Sequence, residues 1–529
     1  MTQATSTQSS AAPTPTKKRP PAGPRRHVGV LIVGSGFAGL GAAIRLAKDG
    51  RSDFLVLDRG SEVGGTWRDN TYPGAACDVP SHLYSYSFEL NPDWTRSFSP
   101  QPEIQDYLRR TAEKYGVLDK HLFDTDVTLA AWDEDERSWL VDTTNGRFSA
   151  DVLVSAVGAL CEPALPDIKG IHDFAGEIFH SARWNHDAGL AGKRVAVIGT
   201  GASAIQIVPA IADRLAHLDV YQRTAPWVMP RHDRRYSKLE SLAYKHIPFL
   251  QRAAREAIYW GRESFVLGFA FQPKILLAAQ KLAERNIAKG LRHKKELRAQ
   301  VTPDWQIGCK RILISNDWYP TLDKEHVELV TGGIAEVRQN AIVTEDGTVR
   351  EVDAIIVATG FHVTDSPTYD RIVGVGGKSL GQLWREKGQR AYKGASVAGF
   401  PNLLFVVGPN TGLGHTSMVY MIESHVNYLA SALEAMETHD LETFEVREDR
   451  QRAYNENLQK QMRQTIWTTG GCASWYLDAH GNNTTLWPSF TFLFRQLTRR
   501  FDLGAYRTSV RSQGAARHQH DLVEEGVPA

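Results

Sequence analysis

The chain has 529 residues, and its 61 Lys and Arg nearly balance its 60 Asp and Glu, which leaves a formal net charge of +1. This length allows two or three domains, and the balanced charge gives no bulk attraction to nucleic acid or to a membrane surface. The four cysteines lie far apart and form no C-x-x-C, which argues against a zinc or other metal site and against a disulfide framework, and favours a reducing, cytoplasmic compartment.

Both ends of the chain have the composition of tails. Residues 1–26 are rich in Ser, Thr, Pro and Ala with scattered Lys and Arg, and residues 509–529 are also polar. Residues 1–26 lack the apolar core of a secretory signal, and no apolar run in the chain reaches membrane-spanning length. We therefore expect two disordered tails and no stable membrane insertion.

A first nucleotide-binding pattern follows the N-terminal tail. An apolar strand at 30–33 leads into Gly34, Gly36 and Gly39, then an Ala/Leu-rich helix and a second apolar run that ends at Asp58. These glycines allow a tight turn, close approach to a pyrophosphate and close packing of helix on strand, while the helix N-terminus offers N–H groups to phosphates. A glycine trio also occurs in ordinary turns, but strand, helix and terminal acid together favour a dinucleotide site with Asp58 on the ribose.

An aromatic loop broken by Pro and Gly runs from Gly64 to Phe88. It is either a plain connection or, directly after a nucleotide fold, the floor of a cofactor or substrate pocket. Asp78 lies within it, and spacing alone favours a surface aspartate in a turn. Residues 125–160 then alternate like strands, with T-N-G-R as a hairpin turn.

A second nucleotide fold begins at Lys193. The sequence G-T-G-A-S-A at 199–204 repeats the fingerprint with alanine as its third member. Arg223 follows Gly199 by the same 24 residues that separate Asp58 from Gly34. Arginine can clamp a 2′-phosphate that a carboxylate would repel, so the pattern predicts NADPH, with Thr224 offering a hydroxyl beside it. The alternative is a solvated charge at a strand end.

The rest of the chain completes both folds. Residues 232–300 have helical period and many Lys and Arg, and this insertion is a packing layer, a cover over the substrate entrance or a face for an acidic partner. An A-T-G strand ends the second fold, and a further strand leads to a glycine-rich turn containing Gly408, which is suited to close approach to a flavin ring. We predict an α/β protein with an FAD-binding domain at 27–165 and 361–508, and an NADPH-binding domain at 166–360.

The linker between the folds carries a further pattern, formed by Phe174, Gly176, His180 and Trp184. It resembles the fingerprint F-x-G-x-x-x-H-x-x-x-W-[P/D] of the Type I Baeyer–Villiger monooxygenases, with Asn185 at the last position. The resemblance runs from about residue 28 to about residue 505. It implies an enzyme that uses FAD, NADPH and dioxygen to insert one oxygen atom next to the carbonyl of a small lipophilic ketone, through a peroxyflavin. It also implies that the linker couples domain motion to oxygenation.

The resemblance extends to the residues expected to do the chemistry. The loop from Gly64 to Asp78 is similar to the family's flavin loop, which implies that Asp78 orients a catalytic arginine. Lys310 and Arg311 look like the Lys-Arg pair that contains this arginine. The resemblance implies that Arg311 keeps the flavin peroxide deprotonated and stabilises its adduct with the ketone. Lys310 would help to bind NADPH. Trp475 is a weaker candidate for a cofactor or substrate contact.

The candidate cofactor ligands fall into two sets. For FAD they are Gly34, Gly36, Phe37, Ala38, Gly39, Asp58, Gly65, Thr66, Trp67, Asp78 and Gly408, and for NADPH they are Gly199, Thr200, Gly201, Ala202, Ser203, Arg223, Thr224 and Lys310.

Three other functions use parts of the same pattern. A flavin-containing monooxygenase that oxidises nitrogen or sulfur shares the cofactors, but that group typically has Tyr or Phe at the position of Trp184 and lacks Arg311. A flavin disulfide reductase needs a cysteine pair near the first fold, and Cys77 has no partner nearby in the sequence. A redox sensor or binding module would leave Lys310 and Arg311 without a role. The identity of the ketone and the oligomeric state do not follow from the sequence.

Overall fold

Two open sheets organise residues 25–511, the part of the chain that the computed structural model describes. The strands of the larger sheet follow the order Ile372–Val373, Val127–Asp133, Ser138–Thr143, Gly146–Ser155, Arg26–Val33, Phe54–Leu57 and His121–Leu122, and Leu403–Phe405 also pairs with Gly146–Ser155. The smaller sheet is parallel throughout, in the order Val327–Val330, His217–Tyr221, Arg194–Ile198, Ala354–Val357 and Glu177–His180. The predicted α/β class with two Rossmann-like halves is confirmed.

The strands of the larger sheet come from two segments of the sequence, one before and one after the segment that forms the smaller sheet. These two segments are residues 26–155 and 372–405, whereas the strands of the smaller sheet come from 177–357. The chain therefore leaves the first half, builds the second half and returns. The domain boundaries predicted from the sequence stay predictions.

Helices cover the sheets and form the insertion. Those associated with the larger sheet are Phe37–Lys48, Thr66–Asp69, Gln101–Lys114, Leu380–Lys387 and Met418–Thr438. Ala204–Ile211, Trp318–Leu322, Glu448–Met462, Ile466–Thr469 and Thr491–Leu497 bury apolar residues in the core of the smaller sheet. The insertion contains Lys238–His246, Pro248–Glu263, Leu276–Gly290 and Leu297–Gln300, with a π-helical turn at Leu267–Phe271. The helix Phe37–Lys48 packs closely because its small residues, such as the fully buried Ala42 and Ala43, leave room for neighbouring elements.

Short elements fill the connections. Three small sheets pair Ile334–Arg338 with Ala341–Thr344 and Val349–Glu351, Val228–Met229 with Leu313–Ile314, and Leu441–Val446 with Tyr506–Val510. The 3-10 turns are Leu118–Lys120, Ile171–Asp173, Ser181–Arg183, Ala212–Arg214, Pro273–Ile275, Pro367–Arg371, Val375–Gly377 and Leu503–Ala505.

The predicted tails need correction at their inner ends. Arg26 already begins the first strand, and Ser509 and Val510 lie in Tyr506–Val510, which pairs with Leu441–Val446. Backbone pairing fixes these residues although their composition is polar. Residues 1–24 and 512–529 of the predicted tails lie outside the described residues.

The structure contains one disulfide bond among the described residues, although the cysteine spacing argued against a disulfide framework. Cys309 and Cys472 form a disulfide across a sequence separation of 163, with their Cα atoms 6.1 Å apart. Sequence distance misled here because the fold brings the two segments together, and Cys77 and Cys161 remain free thiols. Within residues 25–511, no helix is long and apolar enough to cross a membrane.

Candidate active site and cofactor grooves

The first glycine turn leaves space where a side chain would not fit. Gly34 has φ +101°, and a Cβ on it would lie 2.6 Å from the carbonyl oxygen of Ala156. A Cβ on Gly39 would lie 1.7 Å from the carbonyl oxygen of Gly34, so any larger residue would separate helix from strand. Gly36 lies just before Phe37–Lys48, faces Gly65 and provides no side-chain cap for the helix. The N–H groups of the first helical turn are therefore free of a capping side chain, which suits the pyrophosphate of a dinucleotide.

Asp58 closes the end of the second strand of this fold. It is 6% exposed, and its carboxylate accepts hydrogen bonds from Ser35 N at 2.7 Å, Gly60 N at 2.8 Å and Arg68 Nη1 at 2.7 Å. Together with the Ser35 hydroxyl, which donates at 3.0 Å, these donors satisfy the carboxylate and hold it beside the glycine turn. Sequence reasoning missed Arg68, which keeps this buried charge paired.

The second glycine turn repeats the geometry of the first. Gly199 has φ +113°, and a Cβ on it would lie 2.5 Å from the carbonyl oxygen of Ala358. Gly201 and Ala202 are exposed at the mouth of the turn and Ser203 is half-buried, so their backbone N–H groups are open to a ligand. Thr200 is buried, and its hydroxyl donates to the carbonyl of Thr224 at 3.1 Å.

Two cations meet beyond this turn. Arg223 is exposed and forms no ion pair within the described part of the chain. Burial and the neighbouring charge of Arg223 lower the pKa of Lys310, whose ammonium lies 4.3 Å from the ring centre of Trp305. The carboxylate of Asp304 acts on Lys310 in the opposite direction but less strongly than Arg223, so the net charge around the two cations is positive and suited to a phosphate dianion.

The structure brings Asp78 and Arg311 together across 233 residues of sequence. Nε and Nη2 of Arg311 donate to the same oxygen, Oδ2 of Asp78, at 2.8 and 2.5 Å. Burial opposes ionisation of Asp78, but Arg311 outweighs it and lowers the carboxyl pKa, while Asp78 raises the pKa of Arg311. The side chains of Arg311 and Asp78 keep 36% and 28% of their surface accessible, so a small molecule can reach the pair.

Three more residues that the sequence did not single out lie around this pair. Arg262, at the end of Pro248–Glu263, donates from Nη2 to the carbonyl of Asp78 at 3.2 Å. The next residue, Glu263, is 1% exposed, accepts from the Thr491 hydroxyl at 2.9 Å and lies 3.5 Å from Nε2 of His415. The insertion therefore supplies charged groups to the wall of the site, and its Lys/Arg-rich composition gave no indication of which ones.

Gln206 is a further residue that sequence reasoning missed. It lies on Ala204–Ile211, directly after the second glycine turn, and its amide donates to Ala76 O at 2.9 Å. Its Oε1 accepts from Tyr72 Oη at 3.0 Å and Ala76 N at 3.3 Å. This one polar side chain in an apolar helix joins the second fold to the loop that carries Asp78. A single polar residue in an otherwise apolar helix was the feature of the sequence that could have indicated the contact.

The fingerprint residues of the linker lie against the second sheet. Phe174 is 8% exposed, and a Cβ on Gly176 would lie 2.5 Å from the carbonyl oxygen of Asp353. His180 pairs with Val357 in the sheet, and its Nδ1 accepts from Ala182 N at 3.1 Å. Burial lowers the pKa of His180 and favours a neutral ring. The ring of Trp184 packs edge-on against Phe179. Among the described residues, none of these side chains forms a hydrogen bond or ion pair with Asp78 or Arg311.

A buried histidine, His425, holds the turn that contains Gly408. A Cβ on Gly408 would lie 2.3 Å from the carbonyl oxygen of Gly394, and Val407 before it has φ +71°. His425 accepts from Val407 N at 2.9 Å and bonds Lys393 O at 2.9 Å through its other nitrogen. Burial lowers the pKa of His425 to about 4, so the ring stays neutral and can accept the Val407 bond.

Aromatic side chains complete the surroundings. Trp67 donates from Nε1 to Tyr84 Oη at 3.1 Å, and Thr66 beside it is exposed. Trp475 is 48% exposed and packs edge-on against Tyr476, whose ring environment includes Arg311. Trp475 is thus close to the site, and its role stays a prediction.

One cluster resembles a metal site by composition. His217, Asp219 and Glu328 bring their ligand atoms within 4.8 Å of one another. Arg350 pairs with Asp219 at 3.1 Å and with Glu328 at 2.6 Å. Because one guanidinium already bonds both carboxylates, we assign the cluster to an ion-pair network.

Comparison with known proteins identifies the family. A Baeyer–Villiger monooxygenase of Streptomyces coelicolor is 49% identical over 483 residues, which cover 91% of this chain and 92% of the relative. One of Pseudomonas aeruginosa is 48% identical, covering 95% of this chain and 96% of the relative. The chain belongs to the Baeyer–Villiger monooxygenases.

Other comparisons agree with this family. The pyridine nucleotide-disulphide oxidoreductase model matches residues 31–258. The crystal structure of cyclohexanone monooxygenase from Rhodococcus sp. Phi1 bound to NADP+ has a TM-score of 0.81 at 26% identity, covering 92% of this chain and all of that one. Oxidized steroid monooxygenase bound to NADP has a TM-score of 0.80 at 29% identity, covering 91% and 99%.

Membership in the Baeyer–Villiger monooxygenases decides among the functions considered from the sequence. It confirms an NADPH-dependent flavoprotein monooxygenase with FAD as its flavin, and it favours ketone oxidation over the oxidation of nitrogen or sulfur. The roles of individual residues are a separate question.

Proposed function

We propose that Asp78 and Arg311 form the oxygen-transfer site of this Baeyer–Villiger monooxygenase, which converts a small lipophilic ketone to an ester or lactone. The observation that carries the proposal is the paired but accessible guanidinium of Arg311. Its Nη1 has only a 3.5 Å contact to Leu413 O, so N–H groups remain for an oxygen anion.

The pair accounts for two requirements of the reaction. The Arg311 side chain stays protonated at any working pH and provides a fixed positive charge where negative charge develops on oxygen. Asp78 sets the direction of the guanidinium by taking both Nε and Nη2, and Arg262 bonds the backbone carbonyl of Asp78 from the insertion side. Because this charge is fixed before the substrate binds, little free energy is spent on rearranging the surrounding groups during the reaction.

The two glycine turns divide the cofactors between them. FAD, when bound, supplies electrons and activates dioxygen. The turn at Gly34–Gly39, with Asp58, would hold its pyrophosphate and ribose, and Gly408 would permit close approach of the ring system. The turn at Gly199 would hold NADPH, with Arg223 and Lys310 on the 2′-phosphate.

A substrate panel tests the reaction. Purified enzyme would be given cyclic, linear and aryl ketones and a matched set of thioethers, with NADPH consumption and product mass measured together. We expect esters or lactones heavier than the ketone by one oxygen atom. Sulfoxides from thioethers with no ester from any ketone would overturn the assignment.

The cytoplasmic location stays a proposal. It rests on the spacing of the four cysteines, which form no C-x-x-C. The Cys309–Cys472 disulfide points to an oxidising compartment instead, since cytosolic proteins seldom keep such bonds. Fractionation of cells that express the full chain, with immunodetection of each fraction, would test it.

A further inference from the structure

The first two helices of the insertion expose large apolar side chains at one end. Lys238–His246 and Pro248–Glu263 follow each other with only Ile247 between them. The exposed fractions are 78% for Leu239, 52% for Leu242, 50% for Ile247, 74% for Phe249 and 41% for Leu250. Single exposed apolar residues are ordinary, but five within twelve consecutive positions form a patch that indicates an interaction surface.

Positive charge surrounds this patch although the whole chain is nearly neutral. Residues 231–252 contain six Lys and Arg but only two acids. Both acids are already paired, Asp233 with Arg96 at 2.7 Å and Glu240 with Arg234 at 2.7 Å. The remaining local charge is therefore positive and uncompensated.

Three of these cations line a cavity next to the patch. Arg235, Lys238 and Lys245 are exposed and form no ion pair in the region the structure describes. With Leu242 they line a cavity of about 670 Å³, where Asp93 is the one acidic lining residue. This volume is within the range that holds a small ligand, and cations beside an apolar residue are suited to a phosphate group carried on an acyl chain.

We propose that this helix pair docks the enzyme on a bilayer containing anionic phospholipids. Leu239 and Phe249 would enter the boundary between headgroups and acyl chains, while Lys238 and Lys245 contact lipid phosphates. A second copy of the chain fits this surface less well, because a two-fold contact would set the same cations against each other. The attachment is peripheral and depends on local charge, whereas the net charge of the whole chain predicted no attraction to a membrane surface.

The helix Pro248–Glu263 connects this surface to the catalytic region. Phe249 at its proposed membrane end lies about 20 Å along the helix from Arg262, which bonds the carbonyl of Asp78. Docking would therefore hold the active site one helix length from a bilayer, in which lipophilic ketones concentrate.

Vesicle flotation with the full-length, FAD-loaded enzyme tests the proposal. The vesicles are phosphatidylcholine alone, or phosphatidylcholine mixed with phosphatidylglycerol. We expect the enzyme to float with the anionic vesicles, less at high salt, and to stay behind with neutral ones. K238E/K245E should lower partitioning on the order of a hundredfold or more, because two attractions become repulsions. F249S should lower it on the order of tenfold through lost apolar burial.

The matched control is K281E/K289E, which makes the same charge change at exposed positions of Leu276–Gly290 that do not line the cavity. It should keep vesicle binding, and all variants should keep FAD and their NADPH oxidation rate. The proposal is overturned if neutral and anionic vesicles bind alike, or if the control loses as much binding as K238E/K245E. A concentration-dependent dimer that F249S abolishes, without vesicle binding, would assign the patch to a second copy. Saturable binding of inorganic phosphate without vesicle binding would assign the cavity to a small anion.

Discussion

The two nucleotide folds differ little in their turns and greatly at the end of their second strands. Gly34 and Gly199 have φ values of +101° and +113°, and each packs against an alanine carbonyl, of Ala156 or Ala358. Asp58, by contrast, is 6% exposed and held by three neighbouring residues, whereas Arg223 is exposed without an ion pair among residues 25–511.

The comparison separates what builds a dinucleotide site from what selects the dinucleotide. Glycines provide the same narrow turn in both folds, while a single side chain presents a carboxylate in one fold and a guanidinium in the other. The same division occurs at Lys310 and Arg311, where adjacent cations face different folds: Lys310 lies near Arg223, and Arg311 bonds Asp78. Four experiments test what these residues, and those that support the two folds, contribute.

The largest effect is expected from Arg311→Ala. Loss of a fixed charge at a developing oxyanion costs on the order of a hundredfold to a thousandfold in rate. Ester formation should fall by that amount or more, while anaerobic NADPH still bleaches the flavin and NADPH oxidation in air yields hydrogen peroxide. Stopped-flow absorbance and a peroxide assay measure these steps. Asp78→Ala should cause the same failure less completely, and undiminished ester formation by Arg311→Ala would refute the assignment.

Arg223 should determine the choice of nicotinamide cofactor. A charge-assisted contact is worth about 1.5–3 kcal/mol, so Arg223→Ala should weaken NADPH by roughly tenfold to a hundredfold and leave NADH nearly unchanged. Arg223→Asp, which gives the second fold the acid of the first, should lower NADPH affinity further. Steady-state kinetics with both cofactors measure the change. Equal losses for NADPH and NADH would show that Arg223 does not contact the 2′-phosphate.

His425 should make the first fold sensitive to acid. Its pKa is about 4 in the folded protein against 6.5 when unperturbed, so between these values the unfolded chain binds more protons and stability falls as the pH falls. From pH 7 to pH 5 the loss from this group is about 2 kcal/mol. His425→Gln can keep both hydrogen bonds, so its thermal midpoint should fall less across this range. His172→Gln, at an exposed histidine, should behave like the wild type.

Gln206→Ala should give the smallest effect and test how the two folds are joined. It removes the bonds to Ala76 and Tyr72, a loss of about 1–2 kcal/mol of stability. We expect a lower thermal midpoint and more peroxide per NADPH, because the loop carrying Asp78 loses its support from the second fold. Gln280→Ala is the control, since this helical glutamine bonds only Glu284 on its own helix. Identical midpoints for the two variants would remove Gln206 from the domain contact.

The sequence predicted those features that depend on residues close together in the chain. The glycine turns and the 24-residue offset are local patterns, so both folds and both dinucleotides could be inferred from them. Asp78 and Arg311 are 233 residues apart, and only family resemblance paired them. Arg262, Gln206 and the Cys309–Cys472 bond depend on how distant segments pack, and a single sequence gives no direct signal for such contacts.

The Cys309–Cys472 bond makes the two sides of the Asp78–Arg311 pair mechanically unequal. It ties the segment carrying Trp475 and Tyr476 to the residue before Lys310, so that side cannot swing away from Arg311. The opposite side is the end of Pro248–Glu263, which is held there by the noncovalent bonds of Arg262 and Glu263. Displacing the helical side would break hydrogen bonds only, whereas displacing the other side would require breaking a covalent bond.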